Sequence, residues 1–184
     1  MSYPTQEAFV HAGTWDATTR KHPAMKWMED YTNNIIDGRK FHETASSVGW
    51  TTEFTLKKST GEVVEGADKA WAALQEIYAP FSEHVHDPTF CVCWETEKGW
   101  DTSPPLVLGV ASMWYNLQAP GEGKMKGFGG KEWDGVLSSA FKFAYIKGGK
   151  DGVELASTEI FSDPSAAMVQ MLKRGMLKPE QLMQ

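Results

Sequence analysis

The order of signals along the chain predicts an α+β domain built on one curved antiparallel sheet. Two observations carry this expectation. Apolar residues recur at three- and four-residue intervals early in the chain, at Ala24, Trp27, Met28, Tyr31 and Ile35 and again at Ala70, Trp71, Leu74, Ile77, Tyr78 and Phe81. That is the spacing of one helical face. Long strand-like segments then follow one another, Leu106 to Leu117, Trp133 to Lys147 and Val153 to Phe161, with turn residues between them. Helices gathered early and strands late mark the α+β class.

The chain has 184 residues, enough for one domain with a sizeable core. Hydrophobic residues make up 41%, a globular rather than a disordered balance. Eight Trp and nine Phe point to an aromatic-lined interior with room for a cavity. The formal net charge is −6, and no basic cluster exceeds a few residues. This argues against nucleic acid or an anionic membrane as a partner. The first residues, MSYPTQEAFVHAG, lack the basic-then-apolar pattern of a signal peptide. No apolar run approaches the roughly 20 residues of a membrane span. Cys91 and Cys93 sit two apart, so on a strand they share a face and a disulfide between them would be strained. A reduced, cytoplasmic chain is expected.

Each element has its local reason. The first fifteen residues read as an arm packed on the body, with a helical turn. Asp16 or Thr19 can cap the first long helix, Pro23 suits its first turn, and Asp37-Gly38 ends it. A short second helix is expected from Arg39 to Ala45. Thr51 to Lys57 and Glu62 to Glu65 form a hairpin around Ser59-Thr60-Gly61. Gly66 caps the next helix, Asp68 complements its dipole, and Pro80 stops it near Ala79. The stretch VVEGADKAWAALQEIYAPFSEHVHDP, from Val63 to Pro88, is the segment the rest is organised around.

After Asp87-Pro88 a strand runs from Thr89 to Glu95, then a polar loop from Glu97 to Pro105. Ala119 to Lys131 holds several glycines and lysines and is expected to be a mobile loop that gates the pocket. In the strand from Trp133 to Lys147, the residues Leu137, Ser139, Phe141, Phe143 and Tyr145 share one face, and Asp134 and Lys142 the other. Ser139 is therefore a hydroxyl on an apolar face, either satisfied in the core or facing a ligand. Gly148 to Gly152 is a hairpin turn. Asp163-Pro164 opens a last helix through Ala167, Met168, Met171 and Leu172, with Gly175 at its end. The face of Glu159 is left open by the alternation.

The first helix ending at Asp37, the VVEGADKAWAAL entry to the following long helix, the APFSEHVHDP exit and the strand pair from Trp133 to Phe161 resemble the nuclear-transport-factor-2-like superfamily. The resemblance is to its SnoaL-like polyketide cyclase and scytalone dehydratase branch. It covers about Thr19 to Phe161. It implies residues 1–18 as an arm, 19–162 as a cone-shaped domain, and 163–184 as a C-terminal helix and tail. In such a cone a curved antiparallel sheet wraps N-terminal helices around a pocket. It also implies a homodimer through the outer sheet face. The apolar residues Val107, Ala111, Met113, Tyr115 and Leu117 are expected to form that face.

Enzymes of this family place an Asp/His or Tyr/His set in the pocket. The matching positions here are Tyr31, Asp37, His84 and His86. A dehydratase of this type has a further histidine on a middle strand, where this chain reads GVASMWYNL. Trp27, Phe81, Trp114, Ser139, Phe141 and Phe143 are expected to line the substrate pocket. The two histidines suit general acid–base work near neutral pH. His84 is the first choice of base if the helix resumes after Pro80, and His86 if it does not. Each has a structural alternative as a hydrogen-bonded core residue, as do Tyr31 in packing and Asp37 in a turn.

No zinc-ligand spacing joins His84, His86, Cys91 and Cys93, so no metal is expected. The GFGG run from Gly127 to Gly130 lacks the context of a phosphate loop, and no cofactor is expected. The expected activity is cofactor-independent isomerisation, cyclisation or dehydration of a small apolar, oxygenated metabolite such as a polyketide or terpenoid. A non-catalytic small-molecule-binding or dimerisation module is the alternative.

Overall fold

The computed structural model describes residues 8–94, 106–149 and 151–182. Among these residues are three α-helices and a curved, unclosed seven-stranded sheet. The strands are β1 (Ala8–Ala12), β2 (Trp50–Lys57), β3 (Val63–Glu65), β4 (Phe81–Trp94), β5 (Leu106–Leu117), β8 (Gly135–Lys147) and β9 (Val153–Ser162), in the order β1-β4-β5-β8-β9-β2-β3. The short strands β6 (Met125–Lys126) and β7 (Glu132–Trp133) form a separate hairpin. The helices are α1 (Pro23–Tyr31), α2 (Ala67–Tyr78) and α3 (Ser165–Lys173). The expected α+β class holds, with one refinement. The β2–β9 pairing is parallel, so the sheet is antiparallel from β1 to β9 and turns mixed at its far side.

The local chemistry acts largely as the residues dictate. Asp16 accepts hydrogen bonds from the Thr18 and Thr19 backbone amides at 2.7 and 3.0 Å, closing a short 3-10 turn ahead of α1. Pro23 opens α1, where its missing N–H costs nothing. Beyond Tyr31 the helix widens into a π-turn over Thr32–Ile36, closed by the Asp37 amide on the Thr32 carbonyl at 2.8 Å. The wider turn shifts the helical phase, so Ile36 rather than Ile35 is the fully buried residue. Gly38 follows because a Cβ there would collide with the Asn34 carbonyl oxygen.

Four local expectations are corrected. The arm carries an edge strand, β1, paired with Phe90 to Trp94, instead of a helical turn; its first seven residues lie outside the described residues, as does the Glu97 to Pro105 loop. No helix forms from Arg39 to Ala45. Arg39 takes a left-handed φ of 51°, and the Glu43 carbonyl accepts the Trp71 indole N–H at 2.8 Å instead of a helical bond. The strand after α2 begins at Phe81, not Thr89. Pro88 is tolerated inside it because β1 pairs only from Phe90 onward, so the proline faces an unpaired edge. The Ala119 to Lys131 segment contains β6 and a 3-10 turn, and it packs outside the sheet. Gly127 lies so close to the Trp114 ring that a Cβ would run into it.

Faces are also reassigned. Val107, Ala111, Met113, Tyr115 and Leu117 are buried on the concave side, so they belong to the core and not to an outer surface. Asp134 is buried as well, because the strand breaks between β7 and β8 and the alternation restarts there. Glu159 is on the convex side, with Lys57 and Lys142 as partners. Cys91 and Cys93 are both buried and are not joined in a disulfide.

Asp134 ties α3 to the sheet. Its carboxylate takes a two-pronged ion pair from Arg174 at 2.7 and 2.8 Å and the Leu117 amide at 2.8 Å. The Arg174 guanidinium holds the Asp134 carboxyl below the usual carboxylate range, and both side chains are nearly fully buried. Arg174→Met leaves that carboxylate with only the Lys124 ammonium, 4.0 Å away, and is expected to cost about 3 kcal/mol. The urea unfolding midpoint checks this, and an unchanged midpoint would show that the ion pair does not hold α3, which also donates from Gln170 to the Asp134 carbonyl at 2.9 Å.

Candidate active site

A cavity of about 360 Å³ lies between the concave face of the sheet and the helices. Leu56, Leu74, Met113, Leu137, Phe141 and Phe143 give it an apolar wall, and Ala167, Met168 and Met171 of α3 cover it. Its polar groups gather at two places. One is the end where α1 meets β4.

There the π-turn delivers Asp37 to the edge of β4. The carboxylate grips His86 twice: Oδ2 accepts the backbone amide at 2.9 Å, and Oδ1 contacts the imidazole Nδ1 at 2.6 Å. A carboxylate only accepts, so in the neutral imidazole Nδ1 carries the proton and Nε2 keeps its lone pair. The Tyr78 hydroxyl, from the last turn of α2, lies 3.3 Å from that Nε2 and donates to it. Burial, with the Asp37 charge second, pushes the Tyr78 phenol above its ordinary range, so it stays protonated. His86, Tyr78, Tyr31 and Thr32 all face the cavity.

His84 lies behind this layer. The bulge after Phe81 resets the strand phase, and His84 and His86 then share one face as alternate residues. His84 is 2% exposed and is not on the cavity wall. Its ring stacks on Tyr78 with centroids 4.5 Å apart. The Arg39 guanidinium donates to its Nδ1 at 3.4 Å, and Nε2 lies 3.7 Å from Asp37 Oδ1, beyond hydrogen-bond distance. Burial, then the neighbouring His86 and Arg39, hold the His84 pKa down at about 3.

Asp37, His84 and His86 offer three ligand atoms within 4.8 Å of one another. A divalent ion there would displace the 2.6 Å Asp37–His86 bond and add charge beside the Arg39 guanidinium. The donor set fits a hydrogen-bonded dyad better than a metal centre.

The other sequence candidates divide. Tyr31, Phe81, Ser139, Phe141 and Phe143 reach the cavity wall. Trp27 does not; it packs against Tyr31 at 4.8 Å and Tyr145 at 5.4 Å, beneath the wall. Trp114 does not either, because it alternates with the inward Met113 and Tyr115 and faces the β6–β7 hairpin. That hairpin therefore covers Trp114, and none of residues 119–131 reaches the cavity. Sequence reasoning misses Tyr78 and Arg39 as site residues. By periodicity Tyr78 is one more apolar residue of a helical face, although a tyrosine in the last turn before a histidine pair is an available signal.

Solved structures share this architecture. Aln2 from a Streptomyces species is 11% identical, with a TM-score of 0.58 over 84% of this chain and 98% of that one. A putative scytalone dehydratase from Novosphingobium aromaticivorans is 10% identical, with a TM-score of 0.56 over 79% of this chain and 85% of that one. The chain has the nuclear-transport-factor-2-like fold. The hexachlorocyclohexane dehydrochlorinase LinA-type3 from Novosphingobium barchaimii aligns with a TM-score of 0.55 at 12% identity, over 80% of this chain and 91% of that one. No family model matches the sequence, and no curated protein does.

The depressed His84 pKa makes a pH prediction. An ordinary histidine titrates near 6.5 when unfolded. The folded value is lower, so protons bind the unfolded chain preferentially as pH falls from 6.5 toward 3. The stability this group contributes is complete above 6.5 and is lost on acidification through that window. The His84→Gln variant should show a shallower decline of unfolding free energy with acid, and the His84 ring in the wild type should remain neutral by NMR at pH 5. A His84 resonance titrating near 6.5 would overturn the assignment.

Proposed function

We propose that the chain is a cofactor-independent enzyme of the lyase or isomerase type, acting on a small, mostly apolar, oxygenated molecule. The observation that carries this reading is the Asp37–His86 pair at the end of an otherwise apolar cavity. His86 Nε2 is the general base that removes a proton from the substrate. Asp37 fixes the tautomer, aims the ring and stabilises the imidazolium that forms. Tyr78, protonated and within reach of the same nitrogen, hydrogen-bonds a substrate oxygen or returns the proton, and Tyr31 lies on the same wall. The apolar wall supplies affinity while these few polar groups set orientation.

Two of the similar structures bear names of elimination enzymes, a putative scytalone dehydratase and a dehydrochlorinase. Both names describe loss of a proton with a leaving group. That supports elimination as the first reaction class to test, with cyclisation or isomerisation using the same base. Polyketides and terpenoids fit the size and character of the cavity. Cys91 and Cys93, buried and not joined in a disulfide, support a reducing, cytoplasmic setting.

A homodimer belongs to the same proposal, through the outer sheet face as expected but with other residues lining it. Ala12, Phe90, Val110, Ala140 and Phe161 are register partners in one row across five strands. All are on the convex face, and Phe90, Val110 and Phe161 are 37%, 38% and 47% exposed. Such an apolar row favours self-association. Light scattering should give a dimer mass at micromolar concentration, and Val110→Lys a monomer. A monomeric wild type would count against it.

The catalytic reading is tested with a substrate found by native mass spectrometry against metabolite extracts. His86→Gln should keep the wild-type thermal midpoint and lose about 100- to 10,000-fold in turnover, the usual worth of general acid–base catalysis. Turnover retained in that variant would falsify it.

A further inference from the structure

We infer that the cavity recognises a second, uncharged oxygen function at the end of the substrate remote from His86, held by the facing hydroxyls of Ser139 and Ser162. The inference rests on the proposed reading of His86 as the reacting end, and it names the class of molecule: a flat, two-ended ligand with a hydroxyl or carbonyl at each pole and an apolar body between.

The second gathering of polar groups in the cavity carries it. Ser139 on β8 and Ser162 on β9 are direct register partners, and both side chains line the cavity. Thr158 lines it too, two positions beyond Ile160 on the same strand face. Among the described residues none of these three hydroxyls has a hydrogen-bond partner in the protein. Ser139 and Ser162 are half-buried, so their hydroxyls are open to whatever fills the cavity. Here they face the cavity and are free for a ligand.

The register sets the separation of the two poles. His86 pairs with Met113, and Met113 with Leu137, so these three stand in one row across β4, β5 and β8. Ser139 is two residues farther along β8. Two strand spacings of about 4.8 Å and two residue rises of about 3.4 Å put Ser139 about 12 Å from His86 along the sheet surface. The imidazole and hydroxyl project inward from a curved sheet, which shortens the span left for a ligand to about that of two fused or linked rings. Met113 and Leu137 form the apolar band between the poles, and Phe141 stands beyond Ser139 on β8. The cavity volume of about 360 Å³ is at the small end of ligand pockets, which fits a ligand of that size.

Charge decides the kind of oxygen. The nearest cation at this end of the lining, Lys58, is already paired with Glu62 at 3.1 Å. The pole is therefore neutral, and a hydroxyl or carbonyl suits it better than a carboxylate.

The test uses naphthols as probes and titration calorimetry as the readout. Wild type should bind 2,6-dihydroxynaphthalene about three- to tenfold more tightly than 2-naphthol, the worth of one net hydrogen bond. It should bind 6-hydroxy-2-naphthoate more weakly than the diol. Ser139→Ala with Ser162→Ala should bring the diol-to-naphthol ratio to about one while the thermal midpoint holds. Ser162→Ala alone, at the rim, should lower the ratio partway and guards against a misfolded double variant. Equal binding of diol and naphthol by the wild type, binding of neither, tighter binding of the naphthoate, or an unchanged ratio in the double variant would overturn the inference. His86→Gln separates this from the catalytic reading: loss or retention of turnover there says nothing about the serine-dependent ratio.

Discussion

The Asp37 carboxylate is the interaction on which the site depends. Where β4 lacks a neighbour on its free edge, Asp37 takes the place of one, accepting the His86 amide with one oxygen and the His86 ring with the other. One side chain thus satisfies an edge amide, fixes an imidazole tautomer and joins the end of the first helix to the strand. The π-turn over Thr32–Ile36 and the glycine at position 38 are the backbone conditions for that reach. A regular α-turn would aim Asp37 elsewhere, which is why widened turns recur where a helix must present a functional group.

A second layer makes the first one rigid. His84 is neutral, buried and stacked on Tyr78, and Arg39 donates to it from a strained left-handed backbone. Strain of this kind persists only where the surroundings over-determine it, and it clusters around sites that need a fixed geometry. The consequence is that Tyr78 has little freedom to leave the His86 nitrogen. Two histidines that look interchangeable in the sequence therefore take separate roles: one touches the cavity and the other backs it.

At the far side the domain is closed by charge as much as by packing. The Arg174–Asp134 pair draws α3 onto the sheet, and α3 carries the methionines that cover the cavity. Methionine adapts its shape to what lies beneath it, so this cover can accept ligands of varied outline. In the proposed reading, the dyad, the neutral hydroxyl pole and the methionine cover divide the tasks of reaction, orientation and enclosure among three elements.

The sequence by itself determined the elements whose cause is local. The α2 periodicity from Ala70 to Tyr78, the glycine before it and the proline after it act within a few residues, as do the Asp163-Pro164 entry to α3 and the alternation that turned Ser139, Phe141 and Phe143 inward. The residue types of the site were legible too, since Asp37 and His86 stood out beside the family resemblance. Tertiary structure alone decided their partnership, because the Asp37–His86 bond spans 49 positions and depends on a π-turn that no side-chain pattern announces. It also decided which face of β5 is the core, and that Trp27 and Trp114 lie off the cavity. Alternation separates two faces of a strand, but only the curvature of the sheet and the helices packed inside it determine which face is concave and dry.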